Sequence, residues 1–266
     1  MTASLAPSFS LTGRHALVCG ASAGIGRATA RALGGLGARV TGLARDAAKL
    51  ESLCAELRDA GAMAQSLVAD LDDTTGLEAV VSEWLVTQGP VPILVHNTGG
   101  PPAGRLLDAE PAALLAAFRR HVLSAHRLVQ LLVPGMRDAG FGRIVNVLST
   151  SVREPIDLLG VSNTTRAAMA GWAKSLAREL PPGITINNIL PGYTATERLT
   201  QLAAVNAARS GRSVADVEAE WGTLAPEQRL GRPEEIAAAI AFLVSPAASF
   251  VRGTSLAVDG GRLRSI

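Results

Sequence analysis

Short apolar runs alternate with helix-length segments along the whole chain, and this alternation narrows the fold more than any other feature. Strand-like runs fall at 15–19 (HALVC), 39–44 (RVTGLA), 64–70, 93–96 (ILVH), 143–148 (RIVNVL), 184–189 (ITINNI) and 255–258. Helical patterns fill 25–36, 47–60, 74–87, 111–137, 162–180 and 233–244. A strand followed by a helix, repeated this often, implies an α/β fold with a parallel sheet covered on both faces. The first, fourth and fifth runs are largely apolar on both faces, as strands buried on both sides require.

The 266 residues suit one domain, 1–266, and are too few for two ordinary ones. One stretch breaks the alternation: 197–226 has no strand and is weakly amphipathic. An insertion there, beyond the C-terminal edge of a strand, is expected to be a substrate lid; a pair of surface helices without a binding role is the alternative.

Composition closes off several classes of function. Twenty-five basic residues against twenty-three acidic ones leave no excess for a nucleic-acid partner. The longest apolar stretch, 236–244, is far too short for a membrane span. No basic residue precedes Arg14, so no secretory leader is expected and the reading is a cytoplasmic protein. Cys19 and Cys54 are too few for a disulfide framework, and no His, Asp or Glu spacing suggests a metal.

After the first strand comes Gly20-Ala21-Ser22-Ala23-Gly24-Ile25-Gly26, which opens a helix. A glycine turn entering a helix brings backbone N–H groups close to a pyrophosphate, and the helix N-terminus favours its charge. A glycine turn with a structural role alone is the competing reading of this motif.

Further segments carry a resemblance. CGASAGIG at 19–26 looks like T-G-A-S-x-G-I-G, with Cys19 in place of Thr. HNTGG at 96–100 looks like N-N-A-G and keeps Asn97 and Gly99. Pro191-Gly192-Tyr193-Thr194-Ala195-Thr196 looks like P-G-x-x-x-T, and 231–246 and 258–261 resemble a C-terminal signature. Over residues 11–261 the chain resembles the short-chain dehydrogenase/reductase family, in its 3-oxoacyl-thioester reductase-like branch. The resemblance implies a Rossmann-like doubly wound sheet of about seven strands, order 3-2-1-4-5-6-7, with helices on both faces. It also implies a dinucleotide held by Gly20, Ser22, Gly24, Ile25 and Gly26, with Asp70 and Leu71 at the adenine. Asn97, Gly99, Pro191, Gly192, Thr194 and Thr196 would complete the cofactor site, and the helices at 111–137 and 162–180 would assemble a homo-oligomer, a tetramer or dimer. Gly171 and Ala173 would allow close helix approach there.

Cofactor choice rests on the end of the second strand. NAD-preferring relatives tend to carry Asp at the position of Ala44; here Arg45 follows instead, which favours NADP(H) over NAD(H). A guanidinium binds a 2′-phosphate that a carboxylate would repel.

The catalytic positions depart from the family. Its members carry Ser, then Tyr thirteen residues on, then Lys four beyond, with an upstream Asn. In this chain the set reads His121, Ser149, Ser162 and Arg166, and the only tyrosine is Tyr193. Arg166 is expected to grip the cofactor ribose but not to relay protons. Losing a positioned general acid typically costs about 10²–10⁴ in rate. His121, which titrates near neutrality, and Tyr193, beside the Pro-Gly turn, are the candidate substitutes, each against a reading as an ordinary packing residue. Leu158, Leu159, Leu199, Leu202 and Trp221 imply a pocket rim for a small hydrophobic substrate. The leading expectation is an NADP-dependent oxidoreductase acting on a carbonyl or alcohol with a non-standard proton donor. Non-redox chemistry (dehydration, cyclisation or isomerisation) and non-catalytic NADP(H) or metabolite binding are the alternatives.

Overall fold

The computed structural model describes residues 6–265, so residues 1–5 and 266 of the expected domain lie outside the described residues. Seven strands, β1 (His15–Cys19), β2 (Arg39–Ala44), β3 (Ala64–Val68), β4 (Ile93–Asn97), β5 (Gly142–Val147), β6 (Ile184–Pro191) and β7 (Ser255–Val258), form one sheet. Every pairing is parallel and the order is β3-β2-β1-β4-β5-β6-β7, the Rossmann-like order expected. The helices are α1 (Ala6–Phe9), α2 (Gly24–Gly35), α3 (Ala47–Asp59), α4 (Thr74–Gln88), α5 (Pro111–Phe118), α6 (Ser124–Asp138), α7 (Gly160–Glu179), α8 (Glu197–Ser210), α9 (Val214–Thr223) and α10 (Pro233–Val244).

The alternation of side chains along each strand divides the core into two layers. Ala16, Val18, Val40 and Val145 face one side, under Leu33 of α2, Leu53 of α3 and Ile240 of α10. Leu17, Leu43, Leu94 and Ile144 face the other, under Val81 of α4, Leu132 of α6 and Ala177 of α7. Ala173 belongs to this second layer and is buried, so it is not on a free helix face; Gly171 is, with nothing near the place a Cβ would occupy.

One expectation about elements needs correction. The single helix expected over 111–137 is α5 and α6 joined by a π-helical stretch, Arg119–Leu123. The wider turn has no local sequence signature of the kind Pro or Gly supplies. The segment 197–226 folds as α8 and α9, joined at Gly211, whose φ of +68° suits glycine. Ala203, Ala207 and Val217 pack between these two helices as a small separate core. Among the described residues, no helix is long and apolar enough to cross a membrane.

Candidate functional site: a cleft at the C-terminal edge of the sheet

The strand order reverses between β1 and β4, and at such a switch point the helices leave in opposite directions and open a crevice. A cleft of about 820 Å³ lies there, within the size range of small-molecule and cofactor sites. Its floor is made by the ends of six strands, and α8 forms one wall through Arg198, Leu199 and Leu202.

The glycine turn supports one end. Asn97 donates its side-chain amide to the carbonyls of Cys19 and Gly20 at 3.4 and 3.5 Å, tying β4 to the turn. A Cβ on Gly26 would lie 2.1 Å from the Gly20 carbonyl oxygen, so only glycine permits this packing. Helices α3, α4, α8 and α9 each have an Asp, Ser or Thr side chain accepting from a first-turn N–H. Helix α2 has none: its N-cap is Ala23, and its first residues, Gly24 and Ile25, line the cleft beside Ser22. Uncapped donors at the positive end of a helix are what an anion needs.

The expected cofactor residues converge on this cleft with one exception. Gly20, Ser22, Gly24, Ile25, Arg45, Asp70 and Leu71 line it at one end; Asn97, Gly99, Arg166, Pro191, Gly192, Thr194 and Thr196 line it further along. Gly26 does not face the cleft but packs beneath Gly20. Arg45 is exposed and lies 3.8 Å from Asp70.

Three of the five candidate catalytic residues are in the cleft: Ser149, Ser162 and Arg166. Ser149 Oγ accepts from the Ser151 N–H at 3.1 Å, which leaves its own O–H free to donate. Arg166 is buried; its Nη1 donates to the carbonyls of Val147 and Leu148 at 3.0 and 2.9 Å, and its Nε approaches Ser162 Oγ at 3.4 Å. Burial and the nearby Arg198 push its guanidinium down to about 10.

The other two candidates are elsewhere. His121 lies in the π-helical stretch, fully enclosed, with Nδ1 2.6 Å from Thr98 Oγ1. Burial first, and then the positive charge of Arg166, push its pKa down to about 2. The ring is thus held neutral and set behind Thr98, which lines the cleft, so it is not placed to hand a proton directly to a molecule there. Tyr193 borders a separate, smaller cavity and stacks on Trp221, with centroids 4.9 Å apart and an angle of 5° between the planes. Burial raises its phenol pKa, which disfavours ionisation further. The expected apolar rim is corrected in the same way. Leu159, Leu199 and Leu202 line the cleft, whereas Trp221 covers Tyr193 and Leu158 bonds through its carbonyl to the Gly104 N–H.

Sequence reasoning missed Arg120 and Arg198, which also line the cleft. Neither falls in a recognisable motif, and an arginine-rich chain gives no local signal for which arginines turn inward.

Comparison with known proteins agrees with this geometry. Residues 20–262 match the enoyl-(acyl carrier protein) reductase family. The chain belongs to this family of short-chain dehydrogenases/reductases. Among curated relatives, an uncharacterised oxidoreductase of Mycobacterium tuberculosis is 33% identical, over 95% of this chain and 93% of its own. A 3-oxoacyl-[acyl-carrier-protein] reductase of Vibrio cholerae is also 33% identical, over 94% and 98%. Among solved structures, the L-sorbose reductase of Gluconobacter frateurii, complexed with NADPH and L-sorbose, superposes with a TM-score of 0.91 at 29% identity, covering 97% of this chain and all of that one. The short-chain dehydrogenase/reductase fold is thus common to this chain and its relatives.

Proposed function

We propose that this family member is an NADP(H)-dependent oxidoreductase that interconverts a carbonyl and an alcohol on a small substrate without a phenolic proton donor. The observation that carries the reading is the uncapped start of α2, which opens beside a glycine cradle into the 820 Å³ cleft. The residues fit a dinucleotide. The N–H groups of the first turn of α2 would take the diphosphate, Arg45 a 2′-phosphate, Asp70 and Leu71 the adenine side, and Thr194 and Thr196 the nicotinamide side. The NADPH in the sorbose reductase complex supports the same choice of cofactor. When bound, the cofactor supplies the reducing equivalent for the carbonyl carbon.

The chain's own contribution is to hold and polarise the carbonyl. Ser149 and Ser162 present hydroxyl donors at the inner end of the cleft, and Arg166 stands beside Ser162 with a permanent positive charge. Charge that develops on the substrate oxygen is stabilised by these donors before any proton arrives. Among the described residues, no tyrosine, lysine or histidine lines the cleft. The proton therefore reaches the oxygen through the Ser162 hydroxyl, which cleft water replenishes, and Arg166 replaces the family lysine as an electrostatic support. This arrangement forgoes the rate that a matched general acid supplies.

The test measures NADPH consumption beside product mass for a panel of ketones and aldehydes, with wild type and the double variant Ser162→Tyr/Arg166→Lys. One NADPH consumed per alcohol formed by wild type, with faster turnover of at least one ketone by the double variant, is expected. Product without NADPH consumption would replace this reading with non-redox chemistry. Tight NADPH binding with no product from any substrate would replace it with a binding function.

A further inference from the structure

Four carboxylates border the cleft, and each already has a partner. Asp72 takes both arms of Arg120, with Nε at 2.6 Å. Asp70 lies 3.8 Å from Arg45, and Glu197 lies 3.7 Å from Lys49. Asp46 caps α3 by accepting from the Lys49 N–H. At the inner end the balance differs. Arg166, from α7, is 9% exposed and spends Nη1 on the carbonyls of Val147 and Leu148 at the end of β5. Arg198, from α8, reaches across to the carbonyl of Pro101 at 2.6 Å. Among the described residues, neither makes an ion pair with a carboxylate.

The two guanidiniums converge. A Cβ added to Gly100 would lie 3.6 Å from Arg198 Nη2 and 3.7 Å from Arg166 Nη2, so a residue without a side chain leaves both forks facing the same space. Burial lowers the pKa of each, and each is lowered further by a neighbouring arginine: Arg166 by Arg198, and Arg198 by Arg120. Two partly desolvated cations at close quarters, with no counterion among the described residues, carry a standing cost that an incoming anion relieves.

We propose that Arg166 and Arg198 form an anion site for a carboxylate carried by the substrate, which makes the preferred substrate a short oxo acid. The position of the carbonyl rests on the reading under Proposed function; the anion site does not. Arg166 keeps Nη2 and Arg198 keeps Nη1 and Nε without a hydrogen-bond partner among the described residues, so the two guanidiniums together can donate to the oxygens of one carboxylate. The neighbours of the pair favour substrate over the cofactor diphosphate as the source of the anion. Ser162 adjoins Arg166, and Leu199 and Leu202 follow Arg198 along α8, while the uncapped end of α2 already provides for the diphosphate. Leu159, Leu199 and Leu202 then cover the rest of the molecule, so the hydrophobic substrate expected from sequence acquires a charged end.

The experiment is calorimetric titration of the full chain, with and without NADP⁺, using pyruvate against methyl pyruvate and benzoylformate against methyl benzoylformate. At least one acid should bind about tenfold or more tightly than its ester. Arg198→Gln should erase that preference, Arg198→Lys should keep part of it, and NADP⁺ affinity should change less than about threefold in both. No preference for acid over ester in either pair would overturn the proposal, as would a preference that survives Arg198→Gln. Weaker NADP⁺ binding in Arg198→Gln by about tenfold, with the acid preference unchanged, would assign the pair to the cofactor diphosphate instead. An acid preference in a protein that turns over no carbonyl would leave this site standing and remove only the oxidoreductase reading.

Discussion

Tyr193 lies flat on Trp221, ring against ring at 4.9 Å, and this stack holds the chain's only tyrosine outside the cleft. The aromatic pair fastens the loop after β6 to α9, and Arg262 covers the tyrosine ring with its guanidinium 5.1 Å from the centroid. The contacts of this phenol are those of a packing residue.

Tyr193→Phe should accordingly leave kcat within about threefold of wild type, far from the 10²–10⁴ loss that removal of a general acid brings. Trp221→Ala should lower stability by about 1–3 kcal/mol through lost stacking and burial. Steady-state kinetics and urea unfolding of the two variants test the assignment, and a hundredfold fall in kcat for Tyr193→Phe would return the phenol to the reaction.

Arg45→Ala should weaken NADPH binding by about 1–2 kcal/mol and leave NADH binding nearly unchanged. The effect is set toward the lower end for a charge-assisted bond because the arginine is exposed to water. Parallel titrations with the two cofactors read the difference, and equal losses for both would detach Arg45 from the 2′-phosphate.

Gly26→Ala and Gly35→Ala form a matched pair on one helix. The first drives a methyl group to 2.1 Å from the Gly20 carbonyl oxygen, whereas the second meets nothing within 4 Å. Gly26→Ala should cost about 3 kcal/mol or more, or abolish folding, and the protein that remains should bind NADP⁺ poorly. Gly35→Ala should be neutral or gain about 0.5 kcal/mol from helix propensity. Denaturant midpoints of the two variants provide the check.

Stability should fall as the medium is acidified below neutrality, and three histidines set the window. His15, His96 and His121 are buried, and desolvation, followed by nearby arginines, pushes them down to about 4, 3 and 2. In the unfolded chain each binds a proton near pH 6.5, so the unfolded state takes up more protons as pH falls below that value. The stabilisation is complete above about pH 6.5. Each histidine removes about 2 kcal/mol by pH 5, and the loss levels off for each as its folded pKa is passed. Urea unfolding at pH 7, 6 and 5 should show this trend, and His121→Asn should reduce the slope between pH 6 and 5 by close to one proton.

The order of elements was readable from local sequence because it depends on local physics. Apolar runs of strand length and helical spacing mark which backbone hydrogen-bonding pattern each segment can satisfy while burying its side chains, and neither property needs knowledge of distant residues. The glycine turn was readable for a similar reason: Gly20 has a φ of +61°, and close backbone approach leaves few residue types to choose from. The π-helical stretch was not, since nothing in RRHVL distinguishes it from α-helix.

The chemistry of the cleft was decided by tertiary structure. His121 has an ordinary pKa as a sequence symbol, and only its enclosure near Arg166 keeps its ring neutral. Tyr193 follows the Pro-Gly turn in the chain, yet its ring turns away because Trp221, twenty-eight residues later, offers a flat surface. Arg166 and Arg198 come from separate helices and meet at Gly100, a convergence invisible in any window of sequence. The sequence by itself determined the sheet, its helices and the cradle, because each follows from short-range backbone and burial rules. The tertiary structure decided which ionisable groups face the cleft and in what charge state, because desolvation and Coulomb interaction depend on distances through space.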